Sequence, residues 1–337
     1  MKKPNLTFFT ELPTEEQEEL FEDHAVMNHL QNLEASLSLG ILDLSEERAK
    51  VVQKLNQAGI PVIAWLLLPE AEGYWFNIDN YEQAAARYVA FKAWTTQHKL
   101  RWDGIGLDIE MDINELRSIL EEKQAGSFLK KLWHRYLDKH QVDQAQRAYQ
   151  ALVDLIRADG YLVESYHIPL ISEDRRAKST VLQRTAGLVN LKSDREVLML
   201  YSSFLRPDGA SVLWSYAPEA DSIGVGSTGG GVEVKGVIDV DPLTWEEFAR
   251  DLRLCAMQEK PVHIFSLEGC IHQGFLERLE AFNWEEEAHV PGSVITENAF
   301  RTGTTALLWV LERPWVLLIA LAGLIGLGYL FKKGEEA

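Results

Sequence analysis

The sequence predicts a (β/α)8 TIM barrel of about 285 residues followed by a single C-terminal transmembrane helix, and three observations carry that prediction. Short apolar runs alternate with stretches that repeat apolar residues every three to four positions, the pattern of βα units around a parallel sheet. Eight such runs occur, the number that closes a barrel. Near the end, Trp315 to Phe331 carries no charge and is followed at once by Lys332 and Lys333.

In chain order the strands are expected at Leu6 to Thr10, Ala35 to Leu42, Pro61 to Leu68, Gly104 to Ile109, Tyr161 to His167, Val197 to Ser202, Ser222 to Gly226 and Val262 to Leu267. Between them, SEERAKVVQKLNQAG, YEQAAARYVAFKAWTTQHK, QVDQAQRAYQALVDLIRADG and TWEEFARDLRLCAMQEK show helical periodicity, and the first and third end on Gly. A doubly wound open sheet is the alternative. Against it, the first βα turn lacks G-x-G-x-x-G, and the strand spacing suits eight units. Three segments break the regular alternation. Asp112 to Lys139 is amphipathic and helical with a break at Ala125-Gly126, Gly229 to Asp241 is a glycine-rich loop with a hairpin, and Trp284 to Thr304 reads as an irregular linker. The first two follow strand C-termini, where a barrel carries its active site.

The expected division is a barrel at 1–285, a linker at 286–312, a membrane helix at 313–333 and a short tail at 334–337. Pro314 and the apolar turn before Glu312 extend the uncharged run toward the length that spans a bilayer, and Trp315 and Tyr329 suit its interfaces. A lipid bilayer is thus an expected partner. Ala322 and Gly326 form a small-xxx-small pair that would allow weak self-association. Met1 to Gln17 holds only a four-residue apolar stretch, too short for a signal-peptide core, which favours a cytoplasmic barrel, whereas Lys332 and Lys333 argue for the opposite orientation.

A hydrophobic fraction of 46% with 25% charged residues is ordinary globular material with enough apolar side chains for a large core. The net charge of -18 is spread through EELFED, EERAK and WEEEAH with no Lys/Arg cluster, which argues against nucleic acid as a partner. Cys255 and Cys270 have no metal-ligand spacing and are expected to be buried free thiols.

The most informative string is WDGIGLDIE, Trp102 to Glu110. It reads as a strand ending in carboxylates. Asp108 and Glu110, two apart, project to the same side of an extended strand, into the barrel mouth. Two acids at close range disfavour each other's ionisation, so one can carry a proton near neutrality and act as a general acid. A salt-bridged or solvated strand end is the plainer reading. Gly104 and Gly106 leave space beside them for a ligand or for tight packing.

DGIGLDIE resembles the D-G-x-D-x-D-x-E signature on the fourth strand of family 18 glycoside hydrolases, the chitinase-like barrels, with Asp103, Asp108 and Glu110 at matching positions and Gly106 where the family has its middle Asp. The resemblance implies that Glu110 donates a proton to the glycosidic oxygen, while Asp108 orients the substrate's acetamido group and stabilises its charge. In Val197 to Ser203, which contains LMLYSS, Tyr201 matches the family's sixth-strand Tyr, and Ser202 replaces the acid or amide that follows it. IFSLEG stands where the family's eighth strand usually brings a Trp.

Glu268 closes the eighth strand and is the other acid expected in the site. Facing Glu110 across the mouth, it would serve as nucleophile at roughly 5 Å or as base at roughly 6.5 to 9.5 Å. A carboxylate paired with an Arg or a helix N-terminus is the plainer alternative. Glu164 is expected to point into the lower barrel, with Tyr166 and His167 nearer the mouth. Aromatic loops add to a carbohydrate reading. Tyr74, Trp75 and Phe76 lie beside Glu70, Glu72, Asn77 and Asn80, and Trp214 and Tyr216 follow the sixth strand. Sugar rings stack on aromatic planes and hydrogen-bond through their edges.

The expected function is therefore a membrane-tethered hydrolase of glycosidic bonds, with a carbohydrate substrate and no cofactor. Asp108, Glu110, Glu268 and Tyr201 would be catalytic or supporting, and Tyr74, Trp75, Asp103, Tyr166, His167 and Trp214 would bind substrate. Two other classes stay open. GVGSTGGG after the seventh strand would cradle phosphate in a phosphodiesterase or sugar-phosphate enzyme. Alternatively, the change to Gly106 would mark a non-catalytic barrel that binds glycan or protein. Asp108, Glu110 and His167 together would be a set able to hold a divalent metal, though their spacing is not diagnostic of one.

Overall fold

The computed structural model describes residues 2–120, 125–230 and 240–316. Eight parallel strands close into a barrel in sequence order: β1 (Leu6–Thr10), β2 (Ser36–Ile41), β3 (Val62–Leu66), β4 (Gly104–Ile109), β5 (Val163–His167), β6 (Arg195–Met199), β7 (Ser222–Gly226) and β8 (Val262–Phe265). β8 returns to pair with β1, with Phe8 opposite Ile264. Each expected strand is present. The largest difference is β6, which begins two residues earlier at Arg195 and stops at Met199, short of Ser202.

Strand alternation builds two cores. Leu6 and Phe8, Leu37 and Leu39, Val62 and Ala64, Ile105 and Leu107, and Ile223 and Val225 join the main core with residues of the surrounding helices. The opposite parity, including Phe9, Trp65, Tyr166 and Val197, fills the barrel itself. Helices such as Glu46–Gln57, Tyr81–His98, Lys139–Ala158 and Trp245–Met257 cover the outside. Thr244 and Glu247 close a reciprocal cap on the last of these, satisfying backbone donors that its first turn would otherwise expose.

At the bottom of the barrel, Glu164 accepts from Arg195 at 2.7 Å and contacts His263 at 3.1 Å. Burial opposes ionisation of Glu164, but the attraction of His263 and Arg195 outweighs it and holds the carboxyl below its ordinary range. This polar plug separates the barrel floor from the mouth, as expected for Glu164.

The segment read as an irregular linker is in large part a helix, Val294–Glu312, packed across Ile171–Ala177 and Gly209–Tyr216. Among the described residues no helix is long and apolar enough to cross a membrane. The expected span lies almost wholly outside the described residues, as does the hairpin expected within Gly229 to Asp241.

Candidate active site

β4 places Ile105, Leu107 and Ile109 in the outer core and turns Gly106, Asp108 and Glu110 toward the barrel axis. The loop after β3 pins its end: the Phe76 amide donates to the Asp108 carbonyl at 2.9 Å, and the Glu110 amide donates to the Phe76 carbonyl at 3.1 Å. The two carboxyls are thereby fixed by backbone on either side.

They stand in a cavity of about 610 Å³ at the C-terminal end of the barrel. Glu11, Asp108 and Glu110 are its acids near the strand ends, beside Phe9, Trp65, Tyr166, Tyr201 and Phe265. Asp108 is buried, and its Oδ2 accepts from the Trp65 indole at 3.1 Å. Its other contact is with the Glu110 carboxyl, so the two acids form a hydrogen-bonded pair buried in the cavity. Burial, then repulsion from Glu110 and Glu11, pushes Asp108 well above the usual carboxylate range. Burial also lifts Glu110, to about 7, and the contact with Asp108 only partly offsets it. The pair therefore retains a proton near neutrality.

Glu11 was not anticipated. It follows β1 at the same parity as Phe9, lines the cavity, and accepts from the Tyr74 hydroxyl at 2.6 Å. Its signal was present in FFTEL, because a residue two beyond an inward Phe9 also points inward. Burial and the neighbouring Glu11 push the Tyr74 hydroxyl far up, so Tyr74 stays a neutral donor. Tyr201 stacks on Phe265 at 5.6 Å, and burial with the charges of Asp108 and Glu110 raises it too. Its hydroxyl thus stays protonated beside the acids.

Several expected site residues lie elsewhere. Glu268 does not face Glu110 in this cavity. It sits in the first turn of Leu267–His272, accepts from the Glu11 amide at 3.3 Å and lines a separate pocket with Gly229, Gly230 and His272. The physical reason is that Ser266 caps that short helix and turns the chain away from the strand direction after Phe265. Among the described residues no Lys or Arg lines this second pocket.

His167 follows Tyr166 and so has the opposite parity. It lies on the outer face of the sheet, 3.8 Å from Glu196, and burial together with the nearby Arg175 lowers it to about 3. It does not join Asp108 and Glu110, and among the described residues no group of three or more potential ligands is placed to hold a metal ion. Asp103 lies at the opposite end of the barrel, accepting from the Val62 amide at 2.9 Å. Trp214 packs against the outer core, while Tyr216 on the same helix reaches the cavity. Trp75 and Tyr166 line the cavity. Asn77 and Asn80 are buried braces of the Trp75 loop: the Asn80 side chain accepts from the Asn77 amide at 2.8 Å and donates to the Trp75 carbonyl at 2.9 Å.

Gly106 has a local explanation. A Cβ there would stand 2.6 Å from Cζ of Tyr166 and closer still to its hydroxyl oxygen. That hydroxyl hydrogen-bonds with Ser38 at 2.7 Å and donates to Glu164 at 3.3 Å. The tyrosine fills the volume in which an inner acid would lie.

No protein-family model matches the chain, and no curated protein matches it. Solved structures do. A GH18 chitinase from Pseudoalteromonas aurantia is 11% identical, with 83% of this chain and 100% of that chain covered and a TM-score of 0.45. The PgaB (BpsB) glycoside hydrolase domain from Bordetella bronchiseptica is 9% identical, with 83% and 98% covered and a TM-score of 0.46. A xylose isomerase-like TIM barrel protein from Mycobacterium smegmatis, in complex with magnesium, is 11% identical, with 83% and 97% covered and a TM-score of 0.44. Hydrolase and isomerase-like barrels thus score alike, and the set distinguishes no activity.

Proposed function

We propose that the chain hydrolyses glycosidic bonds, with Glu110 as the proton donor and Asp108 as its partner. The observation that carries the proposal is the Asp108–Glu110 pair at the floor of an aromatic cavity, with Glu110 lifted to about 7. An acid of that kind delivers a proton to a leaving oxygen at neutral pH. Asp108, hydrogen-bonded to Glu110, is placed as the partner that the family 18 resemblance implies. Trp65, Trp75 and Tyr201 offer faces and edges to the ring. Glu11, not Glu268, is the third acid available to the reaction, and Tyr74 orients it. Attachment to a bilayer through Trp315 to Phe331 belongs to the same proposal and rests on sequence alone.

Glu110→Gln keeps the shape and removes the transferable proton. Turnover of a hydrolysed glycoside is expected to fall about 10²–10⁴-fold. Unchanged turnover would remove Glu110 from the mechanism. A second reading, a non-catalytic glycan-binding barrel, is favoured by Tyr166 occupying the inner-acid position, and tight glycan binding without turnover by the unmodified chain would establish it.

A further inference from the structure

The outer half of the cavity is unlike its floor. Beyond the acids the walls are mainly apolar, with Leu116, Ile168, Leu170, Phe204, Leu205 and Phe300, and among the described residues Glu297 and the Tyr216 hydroxyl are the polar groups beside them. A glycan chain leaving the acids through this throat would carry hydroxyls past hydrocarbon, and each hydroxyl stripped of water without a partner costs binding. The throat instead matches an alkyl chain, whose transfer from water to such walls is favourable along its length.

The apolar wall continues onto the surface. Phe300 is 60% exposed, Phe204 44%, Leu205 42% and Leu170 38%, and they come from three separate parts of the chain that converge on one opening. Apolar rims of this kind mark surfaces that meet another apolar phase. Phe300 belongs to Val294–Glu312, the helix after which the sequence enters the uncharged run Trp315 to Phe331.

We propose that the substrate is a glycolipid, its sugar held at Asp108 and Glu110 and its hydrocarbon chain in the throat behind Phe204, Leu205 and Phe300. This rests on the glycosidase reading. In the reaction the bond between the anomeric carbon and the lipid oxygen breaks, and Glu110 protonates that oxygen to release a lipid alcohol. Water supplies the hydroxyl that ends on the anomeric carbon, and its remaining proton returns to the carboxyl pair.

The test has a binding arm and a hydrolysis arm, both with the full chain in phosphatidylcholine nanodiscs. For binding, the Glu110→Gln protein is titrated with radiolabelled alkyl β-glycosides of glucose and N-acetylglucosamine, methyl to decyl, below their critical micelle concentrations. Affinity is expected to rise roughly two- to fourfold per added methylene. Adding Leu205→Ser and Phe300→Ser should flatten that slope, whereas Leu162→Ser, an exposed leucine just before β5 at the far end of the barrel, should keep it. Equal affinity for short and long chains, a slope that survives Leu205→Ser/Phe300→Ser, or tighter binding of an unlipidated oligosaccharide would each overturn the glycolipid proposal. For hydrolysis, the unmodified chain is assayed on the same series. No sugar release despite a clear binding slope would overturn the hydrolase reading and leave an amphiphile-binding barrel.

Discussion

A general acid works only while protonated, so the burial of Glu110 has a sign. With its carboxyl lifted to about 7, activity should hold through mildly acidic pH and fall as pH rises through about 7, a limb that a pH profile of kcat/KM reads directly. Stability runs the same way. A carboxyl raised on folding binds more protons in the native state, so stability is lost as pH climbs from the unfolded value near 4.5 toward about 7. Glu110→Gln should therefore raise the thermal midpoint at pH 8, by about 1–2 °C for each kcal/mol relieved, and change it little at pH 4, which scanning calorimetry checks. Gly106 gives a second residue-scale expectation. Gly106→Ala drives a methyl into Tyr166 and should cost about 1–3 kcal/mol, visible as a lower urea midpoint with an unchanged slope. Asp108 and Glu110 were legible because spacing two on a strand is a statement about one face. Glu11 and His167 obey the same parity, counted from Phe9 and Tyr166, yet the first was passed over and the second placed on the wrong face. Glu268 was misplaced for another reason, since the strand it was thought to close ends two residues earlier than expected, at Phe265, and Ser266 then caps a helix.

Among the elements, the helix Val294–Glu312 shows why a segment can be illegible. VITENAFRTGTTALLWVLE holds a Gly and four Thr, residues with modest or poor helix propensity, and local sequence alone argues for irregular chain. The packing decides otherwise. Buried Arg301 pairs with Glu173 at 2.7 Å, reaches Glu219 and the Ser215 carbonyl, and lies 3.7 Å over the Tyr216 ring. Thr305 also bonds to Glu173, which is fully buried. Removing the guanidinium leaves that carboxyl only Thr305 and the more distant Arg176, 3.6 Å away, so Arg301→Met should destabilise by about 1–3 kcal/mol. Because the same helix carries Phe300 and Glu297 into the cavity wall, loosening it should also raise KM more than it lowers kcat. Hydrogen exchange confined to residues 294–312, measured beside the kinetics, would separate local detachment from a general loss of fold.

At the scale of the molecule, the barrel was readable because a parallel sheet buried on both faces writes itself as near-continuous apolar runs, and eight of them leave one closed arrangement. What surrounds the barrel is set by contacts far apart in sequence, and that is where reading by periodicity stopped. The mouth faces the environment with an apolar rim, while the chain as a whole carries a net charge of -18. Such a charge gives no net attraction to anionic headgroups, so the bilayer attachment proposed above would have to come from hydrocarbon contact. Two features offer it, the rim around Phe300 and the uncharged run Trp315 to Phe331, and truncation tells them apart. A chain ending at Val316 keeps Arg301, Phe300 and the cavity, so it should retain the parent unfolding midpoint but no longer float with phosphatidylcholine vesicles. A chain ending at Glu285 loses the cavity wall as well and should melt earlier, with Glu173 losing its shortest ion pair, to Arg301. Flotation of the first truncation at the full chain's level would assign membrane attachment to the rim rather than to the terminal run, because the rim is then the larger apolar surface still exposed.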